Sequence, residues 1–507
     1  MAKKTASRAK KPRRENSLPV RGSVVLIRAR YDAAQTTDNN ERHWLGADSL
    51  SADAANSLYV RQKLRNRARY EVANNAWARG IVSTFANDLV GSGPRLQLRT
   101  DNPALNAEVE REFALWSRRS RLAPKLRTLV MSRVVDGEGF AGLIDNPTLR
   151  HAVRLDLGLI ECDRVTAPTR RIGDPGEIDG VVLDEAGNVR LYRVMQNHPG
   201  DLKYLTLNKF DDWQPADMIH WFRADRAGQH RGIPDLTPSL ETFAQLRRYR
   251  LAVLDAAETA ANVSGVLETD MPPKDSEGDA TADELPPQAI FDMERNTFLT
   301  TPMGWRLKQV EAAQPSPEHV AYVESIVGEI ARPISMPLNI ALCNSSKYNF
   351  ASGRLDHQTY WRSLDVDRDD LEAVALDVIL GRWLEEAALA LPFGPELKAI
   401  LAAAGLLGEV PHEWYWPGRE HVDPSKDATA QQTRLDALMA TYAAEYAKDG
   451  KDWEQEFEQR GKEEALKKKL GLSTDAAAPR AKGPANDGAG DDESDGEGDD
   501  QDDSRRD

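Results

Sequence analysis

Apolar residues recur at helical spacing along much of this chain. Trp77, Ile81, Val82, Phe85 and Leu89 form one such stripe, and Gly91-Ser92-Gly93-Pro94 closes it with a glycine cap and a proline stop. The stripe predicts the second of two helices over residues 52–90. The first holds Arg61, Lys63, Arg65, Arg67 and Arg69. Alternation at i, i+2 wraps charge around a helix, so this helix is expected to be solvated, with a contact surface for a neighbouring subunit or nucleic acid as the alternative. Residues 105–135 also read as helical. Residues 136–225 read as short strands and turns. Val181-Val182-Leu183 and Val189-Arg190-Leu191-Tyr192-Arg193-Val194 flank a Gly/Asn turn and predict a hairpin. The first half of the chain is therefore expected to be α+β.

The pattern changes after residue 235. A long helix is predicted from Thr237-Pro238 to about Val263, with Thr237 as cap and Pro238 in the first helical position. Leu240, Phe243, Leu246, Tyr249, Val253 and Leu254 mark its apolar side. A Pro/Asp/Glu-rich excursion, 270–288, and short strand-like runs over 289–312 follow. A second helix, from about Pro317 to Ala331 with Ser316 as cap, ends at Pro333 and Pro337. Next comes a polar loop, Asn339 to Ser352, and then a very long helical pattern over 353–391, closed by Pro392-Phe393-Gly394-Pro395. Trp414-Tyr415-Trp416-Pro417 falls in a connector, and two more helices are expected at about 425–447 and 451–470.

Length and charge sharpen this outline. At roughly 150 residues per domain, 507 residues suggest about three domains. No apolar run approaches the roughly 18 residues of a membrane span, and Val24-Val25-Leu26-Ile27 is too short for a secretory core, so a soluble protein is expected. Cys162 and Cys343 are too few for a disulfide framework or a Cys-only zinc site. The net charge of −15 is uneven. Residues 1–30 hold ten Lys/Arg and one acid, residues 473–507 hold twelve acids and four bases, and the body between is acidic. A uniformly basic nucleic-acid binder is excluded. The acidic, Gly-rich end cannot bury enough apolar surface to offset chain entropy and is expected to be disordered.

Catalytic signatures do not emerge. No phosphate loop of the Gly-x-x-x-x-Gly-Lys-Ser/Thr type, no His-Glu-x-x-His and no Gly-x-Ser-x-Gly occurs. Asp136-Gly137-Glu138-Gly139 reads as ordinary turn chemistry, with an acidic turn at a site as the alternative. Asp365-x-Asp367-x-Asp369-Asp370 starts like a calcium loop. However, Asp370 stands where that loop needs glycine, and Leu376 where it needs glutamate, so a solvated acidic face is expected and no metal or other cofactor.

Several short segments carry a resemblance. They are Ala29-Arg30-Tyr31-Asp32-Ala33-Ala34, then Asn66-Arg67-Ala68-Arg69-Tyr70-Glu71 with Asn74-Asn75, and then Ile219-His220-Trp221-Phe222. Gly228-Gln229-His230-Arg231-Gly232-Ile233-Pro234, Tyr348-Asn349-Phe350-Ala351-Ser352-Gly353-Arg354 and His421-Val422-Asp423-Pro424-Ser425-Lys426 complete the set. In this order, and spanning about residues 29–470, they resemble the portal proteins of tailed bacteriophages, lambda family.

The resemblance implies an α+β portal-type fold. A basic disordered arm (1–29) would precede an α+β wing (30–235), a first stem helix (236–263), a small clip (264–315) and a second stem helix (316–337). A tunnel loop (338–352), a long wing helix with connector (353–420), a helical crown (421–472) and an acidic disordered tail (473–507) would follow. It further implies a non-enzymatic ring, commonly of twelve copies, at one capsid vertex of the virion, assembled in the cytoplasm of a bacterial host. Its partners would be itself, double-stranded DNA passing without sequence specificity, the terminase large subunit, head–tail connector proteins and capsid or scaffold proteins. No membrane is involved.

Lys347 is the one basic residue in the loop and is expected to reach phosphates, with Asn344, Ser345 and Ser346 as neutral neighbours and Tyr348 as a packing or stacking contact. Arg247, Arg248 and Arg250 on the first stem helix are rival contacts, and inter-subunit ion pairs suit them equally. The competing readings are a different virion or tail component and a nuclease or NTPase of the packaging machine.

Overall fold

A computed structural model describes residues 38, 41–168, 176–201, 209–262, 266–269, 305–308, 318–404, 410–418 and 424–472. The expected basic arm, the segment Ala29 to Ala34, the excursion 270–288, most of the clip, the stretch 421–423 and the acidic tail lie outside the described residues.

Helix α1 (Ala52–Ala55) is capped by Ser51, whose Oγ accepts from the Ala54 amide, and leads to α2 (Leu58–Asn74). Asn75 stops α2, and its side chain accepts from the Trp77 amide, so it also caps α3 (Ala76–Val90). The stripe predicted for α3 is buried at Ile81, Val82, Phe85 and Leu89. Strand β1 (Arg95–Leu98) follows. The helical stretch expected over 105–135 is found as two helices, α4 (Pro103–Arg119) and α5 (Leu122–Asp136), because Arg121 turns the chain in the left-handed region at φ 58°. The turn lets two apolar stripes, one with Phe113 and Trp116 and one with Leu126, Val130 and Val134, enter the same core.

Next come β2 (Glu138–Asp145), β3 (Leu155–Ile160), β4 (Glu177–Ile178), β5 (Val181–Leu183), β6 (Val189–Met195), β7 (Phe210–Trp213) and β8 (Met218–Phe222). They form two antiparallel sheets, ordered β3-β2-β8 and β4-β5-β6-β7. The predicted hairpin is β5–β6, and Asp184 Oδ1 holds its turn by accepting from the amides of Ala186 and Asn188.

Helix α6 (Leu240–Asn262) continues a 3-10 turn at Thr237–Ser239. Pro238 sits in the first turn as predicted, but Thr237 does not cap: it lies inside the turn and its buried Oγ1 has no partner. Strand β9 (Val266–Thr269) pairs with β10 (Trp305–Lys308), which realises one strand-like run expected before residue 312. Helices α7 (His319–Ala331) and α8 (Leu338–Leu342) are separated by the Pro333 turn.

The long helix is found as α9 (Phe350–Leu371), a π turn (Glu372–Leu376) and α10 (Asp377–Ala390). Its irregular turn lies where Trp416 Nε1 donates to Glu372 and Trp414 Nε1 donates to Asp377 at 2.9 Å. Inserted turns of this kind arise where side chains intrude on the ladder. Helix α11 (Gly394–Ala404), not predicted, packs back on α10. The Trp414 segment is not a bare connector: β11 (His412–Tyr415) pairs antiparallel with β1. Three helices, α12 (Pro424–Asp436), α13 (Tyr442–Lys448) and α14 (Trp453–Leu470), replace the two expected at the end, with Leu438 in the left-handed region and Thr441 as the new cap.

One large core joins α3, α4, α5, the β3-β2-β8 sheet, α6, α7 and the long helix around Phe85, Trp116, Trp221, Phe243 and Trp383. A smaller one, around Phe140, Val181, Tyr192 and Met218, fills the space between the two sheets.

Candidate functional site

The loop before the long helix is built by its two ends. Cys343 stops α8 in the left-handed region at φ 50°. At the base, Asn339 Nδ2 lies 2.8 Å from His357 Nε2, which ties α8 to α9. Between them, Asn344 to Lys347 are exposed and Tyr348 is half-buried. The Ser346 amide donates to Asn344 Oδ1 at 3.0 Å and the Tyr348 amide to Ser345 O at 3.1 Å, so the loop is a chain of local turns. Lys347 points to α7, where its Nζ lies 2.7 Å from both carboxylate oxygens of Glu324. The expected cation is present and solvent-exposed, but it is matched by an acid that sequence spacing did not disclose.

Helices α6 and α7 pack as a pair. Phe243 and Leu246 meet Val327 and Ile330 in the core, and Ser239 Oγ donates to Ile330 O at 2.9 Å. Further out, His319 stacks on Tyr249 at 5.3 Å. Of the three stem arginines, Arg247 pairs with Glu71 at 3.7 Å within the chain and lies over Tyr70 at 5.1 Å, while Arg248 and Arg250 are exposed.

Behind this pair lies a buried ion network, and here the reading of α2 as a solvated helix is overturned. Arg61 and Arg65 are only 1% exposed. A helix period of 3.6 sends positions 61, 65 and 69 to one face, which the i, i+2 count obscured. Arg61 pairs with Asp179, Arg65 with Glu138, and Arg69 with Asp136 and Asp163, both at 2.6 Å.

Glu138 is the hub and is fully buried. It accepts from Arg231 NH2 at 2.6 Å, from Arg65, and from the Gly232 amide at 3.1 Å; His220 Nε2 lies 3.0 Å away. The turn expected at Asp136-Gly137-Glu138-Gly139 is thus the centre of the network. Two glycines make that approach possible: a Cβ on Gly232 would fall 1.9 Å from Gly137 O, and Gly137 itself takes φ +92°.

Burial alone would raise the Glu138 carboxyl, but Arg231 and Arg65 outweigh it and hold Glu138 well below the usual carboxylate range. Burial, and then Arg231, pulls Arg61 down to about 10 against the pull of Asp179. Burial depresses His220 despite its bond to Glu138. Burial likewise raises the Cys162 thiol, which donates to Glu138 O at 2.9 Å and is not a nucleophile.

In the acidic run of the long helix Asp365, Asp369 and Asp370 are exposed as expected, and only Asp367 departs from the solvated face. Asp367 is buried and forms a two-pronged pair with Arg133 of α5 at 2.7 and 2.9 Å, and that guanidinium lies 4.3 Å over the Trp221 ring. Arg368 donates to Leu89 O and Asp88 O at 3.0 Å each and so closes the C-terminus of α3. Among the described residues no cluster of three or more His, Cys, Asp or Glu side chains could hold a metal ion, and no helix is long and apolar enough to cross a membrane.

Residues 38–368, spanning α1 to α9, match the family profile described as "Phage portal protein, lambda family". The chain belongs to that family. The assignment makes it a structural protein of phage particles. A "Probable portal protein" of Halomonas phage phiHAP-1 is 24% identical over 479 residues, covering 90% of this chain and 89% of the relative. Among solved structures, a chain in "Neck of native GTA particle computed with C12 symmetry" is similar over 76% of this portal chain and 91% of its own, at 14% identity and a TM-score of 0.40. A chain in "Neck of empty GTA particle computed with C6 symmetry" covers 73% and 87%, at 14% identity and 0.42.

Proposed function

We propose that this portal chain assembles as a closed ring of twelve copies at one capsid vertex and forms the channel for DNA entry during packaging and exit on ejection. In this reading the ring nucleates the shell and docks the terminase large subunit, and later the connector proteins. The observation that carries it is the family match across residues 38–368, whose span includes the paired helices α6 and α7 on either side of residues 263–317 and the polar loop that enters α9. Residues 30–235 serve as wing, α6 and α7 as stem, 264–315 as clip, 338–352 as tunnel loop, the long helix as wing helix and 421–472 as crown.

A conduit must touch DNA without gripping it, since each phosphate neutralised by a cation releases counterions and adds affinity. Lys347 with its charge matched by Glu324 meets that need better than a bare lysine belt: the ring would present weak, neutralised contacts that trade partners with passing phosphates. Arg248 is left for contacts between copies. A heterologous ring closes only when the subunit rotation fits.

Native mass measurement with negative-stain imaging tests the reading. Twelve copies of the 56.3 kDa chain weigh about 676 kDa, and a closed ring with a central hole at that mass is expected. A monomer that stays monomeric when co-expressed with its capsid and scaffold proteins would overturn it.

A further inference from the structure

The outward face of α2 has no role in the channel described above. Arg61, Arg65 and Arg69 turn into the ion network, while another face of the same helix turns to solvent. Tyr59 is 68% exposed and Tyr70 54%, with Lys63 and Arg67 exposed between them. Spacings of four, four and three residues put these side chains in one row on a 3.6-residue helix. The row is about 16 Å long at 1.5 Å per residue.

Its chemistry is uniform. Lys63 Nζ lies 3.1 Å from the Tyr59 hydroxyl and 5.0 Å from its ring centroid. Among the described residues neither Lys63 nor Arg67 has an ion-pair partner, in a chain of net charge −15. At the far end Arg247 of α6 covers Tyr70, and Arg250, one turn along α6, shares a concave surface with Asn74 and Asn75. Glu71, the acid of this region, is buried against Arg247. The row therefore runs on from α2 to α6 as cations, tyrosines and asparagines, and the one acid of α2, Glu71, is buried.

We propose that this row is a second contact surface for double-stranded DNA, reached without threading the ring. Lys63, Arg67 and Arg250 meet phosphates, and the Tyr59 and Tyr70 hydroxyls donate to phosphate oxygens, a mode that positions a duplex without reading its sequence. The identity of the polyanion rests on the conduit reading; the surface itself does not. The row abuts α6, whereas Lys347 binds α7, so the two DNA contacts attach to different helices of the stem pair. A second copy of the chain is the competing occupant, since tyrosine and arginine also suit a subunit interface, and the oligomeric state of the variant separates the two.

The test uses the purified full-length assembly and a relaxed, covalently closed DNA circle, which cannot enter a closed ring. Wild-type protein is expected to bind the circle. Lys63→Ala with Arg67→Ala should weaken binding about tenfold near 0.1 M salt and lower the log–log salt slope by about 2, at roughly 0.9 per phosphate contact. A matched variant, Arg150→Ala with Arg190→Ala, removes two exposed arginines elsewhere and should stay within twofold. Absence of circle binding by wild type, or equal losses in both variants, overturns the proposal. So does a Lys63/Arg67 variant that loses its oligomeric state while keeping its DNA affinity, which would assign the row to a neighbouring copy. Failure of the conduit reading shows separately, as an absence of rings in the wild-type images.

Discussion

Replacing Glu138 by glutamine tests the ion network most directly. The side chain is fully buried and bonded to two guanidiniums, with His220 at its third side and a backbone amide at its fourth. Glutamine keeps the shape and one carbonyl, but it removes the charge and turns an NH2 group toward arginines that can only donate. Arg65 and Arg231, 1% and 0% exposed, then lack their main counter-charge. Breaking one partner of a buried pair costs about 3–5 kcal/mol. At about 2.1 cal/mol/K per residue, a folded body of roughly 400 residues loses Tm by roughly 5 °C for about 4 kcal/mol.

The pH dependence carries a sign. The folded pKa of Glu138 is depressed, so its contribution is complete above the unfolded carboxyl value of 4.5 and disappears as pH falls through the folded value. Thermal unfolding followed by circular dichroism at pH 7 and at stepwise lower pH should show a gap between wild type and Glu138→Gln that is full at pH 7 and narrows only below about pH 4.5. The reasoning also predicts non-additivity: Glu138→Gln combined with Arg231→Met should cost less than the two single changes summed. A variant within 1 °C of wild type at pH 7, or a gap that does not change with acidity, would refute the network as a coupled ionic unit.

Asp367→Asn should destabilise the joint between α5 and the long helix by about 3 kcal/mol, because it leaves buried Arg133 with only the more distant Asp235 carboxylate at 3.5 Å; hydrogen exchange should show faster opening of α9 than of α14 relative to wild type. Lys347→Ala should leave ring mass unchanged and alter packaging rate or DNA retention, and Glu324→Gln, which unmasks the same lysine, should shift retention the opposite way; equal behaviour of both variants in a packaging assay would remove the loop from the DNA path.

Much of the secondary structure was legible because it depends on local spacing. The α3 stripe, the β5–β6 hairpin, α6, α7 and the long helix all follow from periodicity and stop residues close in sequence. Errors cluster where a distant contact intervenes. The Trp414 segment reads as a connector, but it forms β11 because β1, more than 300 residues away, supplies its partner. Of the site, the loop and its lysine were readable, whereas Glu324 lies 23 residues away and is brought there by the fold.

The portal identity was carried by the sequence itself, in short segments whose reasons the structure supplies. Gly228 to Pro234 brings Arg231 onto Glu138 through a backbone approach that glycine permits, and Asn66 to Asn75 holds the face of α2 that places the half-buried Arg69 beside Asp136. What only the tertiary structure decided is which charges are matched. Arg61 and Lys63 stand two residues apart in the same helix, yet one is sealed against Asp179 and the other faces water. Composition counts both as basic residues of a solvated rod. Their separation depends on the turn between β4 and β5, which carries Asp179, arriving on one side of α2, because a buried guanidinium is tolerated only where the fold delivers a carboxylate to it.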